Sequence, residues 1–272
     1  MRQYSIHPVE VFASLWRNRE LINASAKREV LGRYRGSVMG ILWSFLNPLF
    51  LLAVYTFVFS EIFKARWNVE SDSKTEFALV LFAGLLIFNL FAECINRAPG
   101  LILANPNYVK KVVFPLEILP VVVLLAGAFH ALISLGVWML AYLVFFGIPH
   151  ATIVYLPFIV FPLMLFILGT SWALASLGVY LRDVGQFIGV ITMVLMFMSP
   201  VFYQATSLPA AYRHFIYLNP LTPAIEQARD VLFWGKAPDL QMLGFCWMAS
   251  LFIAWLGFAW FQKTRQGFAD VI

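Results

Sequence analysis

Arg33, Tyr34 and Arg35 stand directly before an apolar run that starts at Val38. Cations at such a border do electrostatic rather than covalent work: they stay with anionic headgroups and hold their side of the chain in place. Glu93 and Arg97 lie four residues apart in a later apolar stretch. That spacing puts them on one helical face and predicts a structural ion pair, with a gating role as the alternative. His130 falls inside a third run with Ser134 one turn on, which suits a histidine hydrogen-bonded within a bundle. Phe202, Tyr203, Tyr212, Phe215, Tyr217, Phe233 and Trp234 gather in one region. An interfacial belt produces that enrichment. So does a pore wall, where flat, C–H-rich rings offer a large contact area with a polar edge.

Catalytic patterns are missing. Gly235-Lys236 is followed by alanine and has no upstream glycine, so it cannot cradle nucleotide phosphates. His7, His130, His150 and His214 are scattered, without HExxH or paired-ligand spacing, and no metal site is expected. Cys94 and Cys246 both fall in apolar runs and read as small buried hydrophobes. No catalytic residue, cofactor or nucleic-acid partner is assigned.

The elements that must position these residues are membrane helices. Of 272 residues, 61% are hydrophobic and 12% charged, against about 25% charged in soluble domains. Mean hydropathy is +0.81. Runs at 38–59, 77–95, 116–146, 153–180, 184–200 and 240–261 predict six spans, the first bent near Pro48. Residues 8–30 alternate apolar and charged positions at helical spacing, as in an amphipathic helix lying in the interface. No cleaved signal peptide is read in residues 1–30.

Two connections stand out. Residues 97–115 contain Asn105-Pro106, a turn start, followed by a short helix-like YVKK stretch before Pro115. Residues 201–239 are apolar but cut by Pro209, Pro220, Pro223 and Pro238. They predict two short re-entrant helices at 210–218 and 223–233. The expected fold is therefore an all-α polytopic membrane protein forming one domain, with an interface helix over 1–37, a six-span core over 38–262 and a tail over 263–272. Arg2, Arg17, Arg19, Lys27, Arg28, Arg33, Arg35, Arg97, Lys110, Lys111, Arg182, Lys263 and Arg265 fall on the side of both termini. Lys64, Arg66, Lys74, Arg213, Arg229 and Lys236 fall on the other, and this bias predicts both termini in the cytosol.

Four stretches in order resemble one family over nearly the whole chain: GRYRGSVMGILWSFLNP (32–48), NYVKKVVFPLEILP (107–120), YLRDVGQFIGVITMVLMFMSPVFY (180–203) and LNPLTPAIEQARD (218–230). They are similar to the membrane subunits of ABC-2 type exporters, in particular the branch that exports O-antigen, capsule or teichoic-acid polysaccharides. The resemblance implies a homodimer in the bacterial inner membrane joined to two copies of a separate ATPase, which binds ATP and magnesium. It implies an ATPase-coupling helix involving Asn105, Pro106, Tyr108, Lys110, Lys111 and Phe114, and an external gate built from the re-entrant helices. Its expected cargo is a polyprenyl-diphosphate-linked or other lipid-linked glycan. Lys27, Arg28, Arg33 and Arg35 are then candidates for holding the diphosphate, against a role as topology anchors alone. An ABC-2 exporter of drugs or small lipophilic molecules, and a membrane enzyme acting on lipid-linked sugars, are the competing readings.

Overall fold

A computed structural model describes residues 6–58, 67, 74–110, 114–209 and 215–272. Two N-terminal helices, α1 (Pro8–Arg17) and α2 (Arg19–Arg33), precede α3 (Trp43–Phe57). Then follow α4 (Lys74–Arg97), the short α5 (Pro106–Lys110), α6 (Ile118–Phe146), α7 (Leu156–Tyr180) and α8 (Val184–Met198). The chain closes with α9 (Leu221–Arg229), a π-helical turn at Asp230–Trp234, α10 (Leu240–Thr264) and α11 (Phe268–Val271).

Among the described residues five helical segments are long and apolar enough to cross a bilayer: Gly40–Phe57, Thr75–Gly100, Ile118–Phe146, Ala151–Tyr180 and Leu240–Val271. The fifth expected span falls short. Helix α8 has 15 residues, about 22 Å at 1.5 Å per residue, against a hydrocarbon core of about 30 Å. It nonetheless runs between the two ends of the bundle. Its first turn lies beside Pro99, next to the end of α4, and the residues just past its last turn meet Arg229 on α9.

The interface helix expected over 8–30 is two helices, broken at Asn18 (φ −101°, ψ 14°). The Asn18 side-chain amide donates to the Ser14 carbonyl at 2.8 Å, a local bond that competes with helix continuation. Helix α1 buries Val11 and Ser14 while Val9, Phe12 and Trp16 stay exposed on another side. Between α2 and α3 the chain turns at Gly36 (φ +86°) and Gly40 (φ +54°), conformations that favour glycine.

Helix α4 is the centre, almost wholly buried along its length. The α7–α10 pair packs backbone to backbone: a Cβ on Gly257 would overlap the Gly169 carbonyl, and one on Gly169 would overlap the Ile253 carbonyl. Lipid tails are as apolar as leucine, so close approach through small residues is what holds such a pair together. Both ends of the chain meet at one end of the bundle. Ser14 donates to Glu117 Oε1 at 2.9 Å and Arg265 pairs with Glu117 Oε2 at 2.7 Å, at the start of α6.

Candidate coupling face and outer gate

At the end of the bundle where the termini meet, α2 is fastened to the end of α4 and to α5. Arg33 is ion-paired with Glu93, and Arg97 with Glu29. The expected Glu93–Arg97 pair is present at 4.0 Å, but each member has its nearer partner on α2. The spacing rule sees only the helix that carries both residues. Reversing Glu29 to arginine sets like charges side by side and is expected to cost about 1 kcal/mol, because both groups are about a third exposed. That amounts to a few degrees in melting temperature, and the charge swap Glu29→Arg with Arg97→Glu should restore it.

Asn105 stands before α5, its amide donating to the Leu101 carbonyl at 2.9 Å. Pro106 takes the first helical position, where its missing N–H is harmless. Tyr108 stacks on Phe114 with ring centroids 4.2 Å apart. The Arg28 guanidinium donates to the Tyr108 hydroxyl at 2.8 Å. Pro106 and Lys110 point outward. Just upstream, the backbone of Pro99 lies so close to α7 that a Cβ on Gly178 would overlap the Pro99 carbonyl. The short helix is thus an exposed knob on a braced loop. Lys111 lies outside the described residues. Of the other basic candidates, Arg33 is held by Glu93 and Arg28 by Tyr108, whereas Lys27 and Arg35 are exposed.

Tyr34 reaches His130 Nδ1 at 3.3 Å. The Ser134 hydroxyl donates to the His130 backbone carbonyl at 2.9 Å, so the two side chains are not paired with one another.

At the opposite end, α9 sits inside the bundle, and Arg229, 3% exposed, is its bolt. The guanidinium donates from Nε to the Val80 carbonyl at 2.9 Å, from Nη2 to the Val201 carbonyl at 2.5 Å and from Nη1 to the Pro200 carbonyl. It also lies 4.5 Å above the Trp67 ring. Helix α8 ends short of a full crossing, so the carbonyls just beyond it lack water and need donors. Arg229 supplies them, and its charge complements the helix C-terminus. Burial lowers its pKa to about 9 against the opposing pull of Glu226, so it stays cationic at neutral pH. Sequence reading missed this role, having assigned Arg229 to the outer loops. The available signal was an arginine in the middle of an apolar, proline-cut segment.

The region's aromatics divide. Phe215 and Tyr217 are exposed, the latter donating to Glu226 Oε2 at 2.9 Å. Phe202, Tyr203 and Trp234 are half-buried, with Phe202 stacked on Phe197 at 5.9 Å. Phe233 is buried and packed edge-on against Tyr142 and Phe146. Tyr212 lies outside the described residues. The second re-entrant helix begins earlier than expected, at Leu221.

Among the described residues no group of three or more His, Cys, Asp or Glu is placed to hold a metal ion. The arrangement is a mechanical one, an exposed knob at one end and a buried latch at the other. Residues 20–233 match the family model of the ABC-2 type transporter. The chain belongs to the ABC-2 type transporter family. This ABC-2 chain is also similar along its length to named permeases. The O-antigen export system permease protein RfbA of Myxococcus xanthus is 25% identical over 266 residues, 97% of this chain and 100% of the relative. The capsule polysaccharide export inner-membrane protein CtrC of Neisseria meningitidis is 24% identical, covering 96% of this chain and 97% of the relative. The polysialic acid transport protein KpsM of Escherichia coli is 25% identical, covering 90% and 93%. The ABC-2 chain is a multi-pass membrane protein whose relatives are transporter subunits.

Proposed function

We propose that this chain is the membrane conduit of an ATP-driven exporter that moves a lipid-linked polysaccharide, O-antigen in the first place, out of the bacterial cytosol across the inner membrane. The reading pairs two copies of the chain with two copies of a separate ATPase, and sets both termini on the cytosolic side. The observation that carries it is full-length similarity to polysaccharide-export permeases in a chain whose exposed knob is braced to its membrane helices. The ATPase presses on α5 through Pro106 and Lys110. Tyr108, stacked on Phe114 and bonded to Arg28, passes that motion to α2. The ion pairs of α2 with Glu93 and Arg97 pass it on to α4, and α4 meets the outer latch at Val80. Lys27 and Arg35, exposed at headgroup level, lead the candidates for the carrier's diphosphate, because Arg28 and Arg33 already have partners.

The experiment is co-expression of the chain with the ATPase, followed by purification and an ATPase and export assay. A Lys110→Glu variant should insert normally and lose at least tenfold in export and in ATPase stimulation. Unchanged export in that variant would remove the docking role, and transport by the chain without any ATPase would sink the reading.

A further inference from the structure

Helix α3 stands off from α4 and α6, and two cavities open along the gap. One, of about 180 Å³, lies toward the end where the termini meet and is lined by Asn47, Asn89, Glu93 and His130 among others. The other, of about 710 Å³, lies toward the outer end, and its walls are almost entirely aliphatic and aromatic. They follow one another along the same helix faces. Phe82 lines the first and Leu79 the second, three residues apart on α4, and Ser134 and Val137 divide α6 in the same way. Together they make one groove, polar at its inner half and apolar at its outer half.

The polar half carries unmet hydrogen-bonding capacity. Asn47 and Asn89 are exposed at membrane depth, and among the described residues their amides have no hydrogen-bond partner. Uncompensated amides in hydrocarbon are costly and mark something that binds them. The charges near them cancel, because Arg33 is paired with Glu93 and Arg97 with Glu29. Among the described residues no unpaired cation lines the groove, so a diphosphate finds no counter-charge from them there. A zwitterion does: each partly exposed pair offers guanidinium N–H to a phosphate and carboxylate oxygen to an ammonium. From Asn89 outward to Thr75, α4 rises about 21 Å, over half of the roughly 30 Å hydrocarbon core. That is room for one long acyl chain.

We propose that the groove between α3 and the α4–α6 pair holds one zwitterionic glycerophospholipid of the host bilayer. Its ester carbonyls accept from Asn47 and Asn89, its headgroup lies at the Arg33–Glu93 and Arg97–Glu29 pairs, and one chain fills the apolar cavity. This lipid is a resident and not the exported cargo, and the proposal does not depend on what the protein exports.

The test is native mass spectrometry of the full-length protein, extracted from membranes and then delipidated and exposed to vesicles of phosphatidylethanolamine, phosphatidylglycerol or a polyprenyl diphosphate. The wild type should keep one phosphatidylethanolamine per chain and prefer it at least tenfold over the other two. Ala141→Phe, which narrows the apolar cavity, should lower that retention at least tenfold while Ala141→Ser keeps it. Asn89→Leu should reduce the preference for glycerolipid esters over their ether analogues, a ratio that total folded yield does not move. Equal retention by Ala141→Phe would overturn the proposal. So would preference for the anionic or polyprenyl lipid, or disulfide trapping of Ala141→Cys to a second copy in native membranes.

Discussion

Replacing Arg229 with methionine is expected to leave no folded protein after extraction at growth temperature. The substitution keeps the volume and removes every donor. The Pro200 and Val201 carbonyls lose their guanidinium partners, at about 1–3 kcal/mol for each buried acceptor left unmade. The contact with Trp67 adds about 2 kcal/mol where both groups are desolvated. A total of roughly 4–8 kcal/mol is comparable with the about 5–15 kcal/mol that holds a typical fold. Arg229→Lys should be intermediate, since it keeps the charge but cannot present a planar fork to three carbonyls. Gly84→Ala should mimic a weaker version without touching the arginine, because its new Cβ would run into the guanidinium. Thermal unfolding followed by size-exclusion chromatography ranks the three. A methionine variant that melts within 2 °C or so of wild type would show that the Arg229 latch bears no load.

The same residue shows where sequence reading stops. Among the described residues hydropathy located five helices long enough to span and the shorter apolar α8, because hydrocarbon admits no exposed backbone polar group, so a span must be a continuous apolar helix. It set the end of the fifth run at Pro200, two residues past the end of α8 at Met198, but it did not foresee what becomes of the backbone beyond. Once α8 stops early, some buried donor must serve the carbonyls beyond it, and only the fold reveals that the donor comes from α9. Glu93 and Arg97 make the same point at the other end of the bundle. Their four-residue spacing was legible, but their nearer partners, Arg33 and Glu29, are 60 and 68 residues away along the chain. Periodicity carries no information about which helix will lie alongside. The stacking of Tyr108 on Phe114 was likewise beyond reach, though both had been placed in one functional loop by resemblance. Aromatic composition grouped Phe233 with its neighbours, and it did not show the packing against Tyr142 and Phe146 that buries it.

Glu117→Met is the second change expected to be severe. Glu117 begins α6, where a carboxylate also meets the positive end of the helix dipole. Its two oxygens are divided between Ser14 on α1 and Arg265 just past α10, and its backbone carbonyl accepts from Trp172 Nε1 at 2.8 Å. The Glu117 and Arg265 side chains are only 8% and 7% exposed, so removing the acid takes the carboxylate from a buried cation and leaves it only neutral acceptors such as Gln262 Oε1 and the Phe114 carbonyl. Losing one partner of such a pair costs about 3–5 kcal/mol, whereas replacing both with apolar groups of similar size can be close to neutral. The double variant Glu117→Met with Arg265→Met should therefore recover most of the melting temperature lost by Glu117→Met alone, leaving the unmet Ser14 hydroxyl as the main residual cost. If single and double variants melt together, Arg265 is not held by this carboxylate. The junction also joins the N-terminal helix, the first turn of α6 and the C-terminal segment. The single variant should accordingly loosen α1 and expose it to protease before any span unfolds, because the Ser14 bond to Glu117 is lost and α1 is left with the packing of Val11 and Leu15 and the bond from Trp255 Nε1 to the Ile6 carbonyl at 3.1 Å.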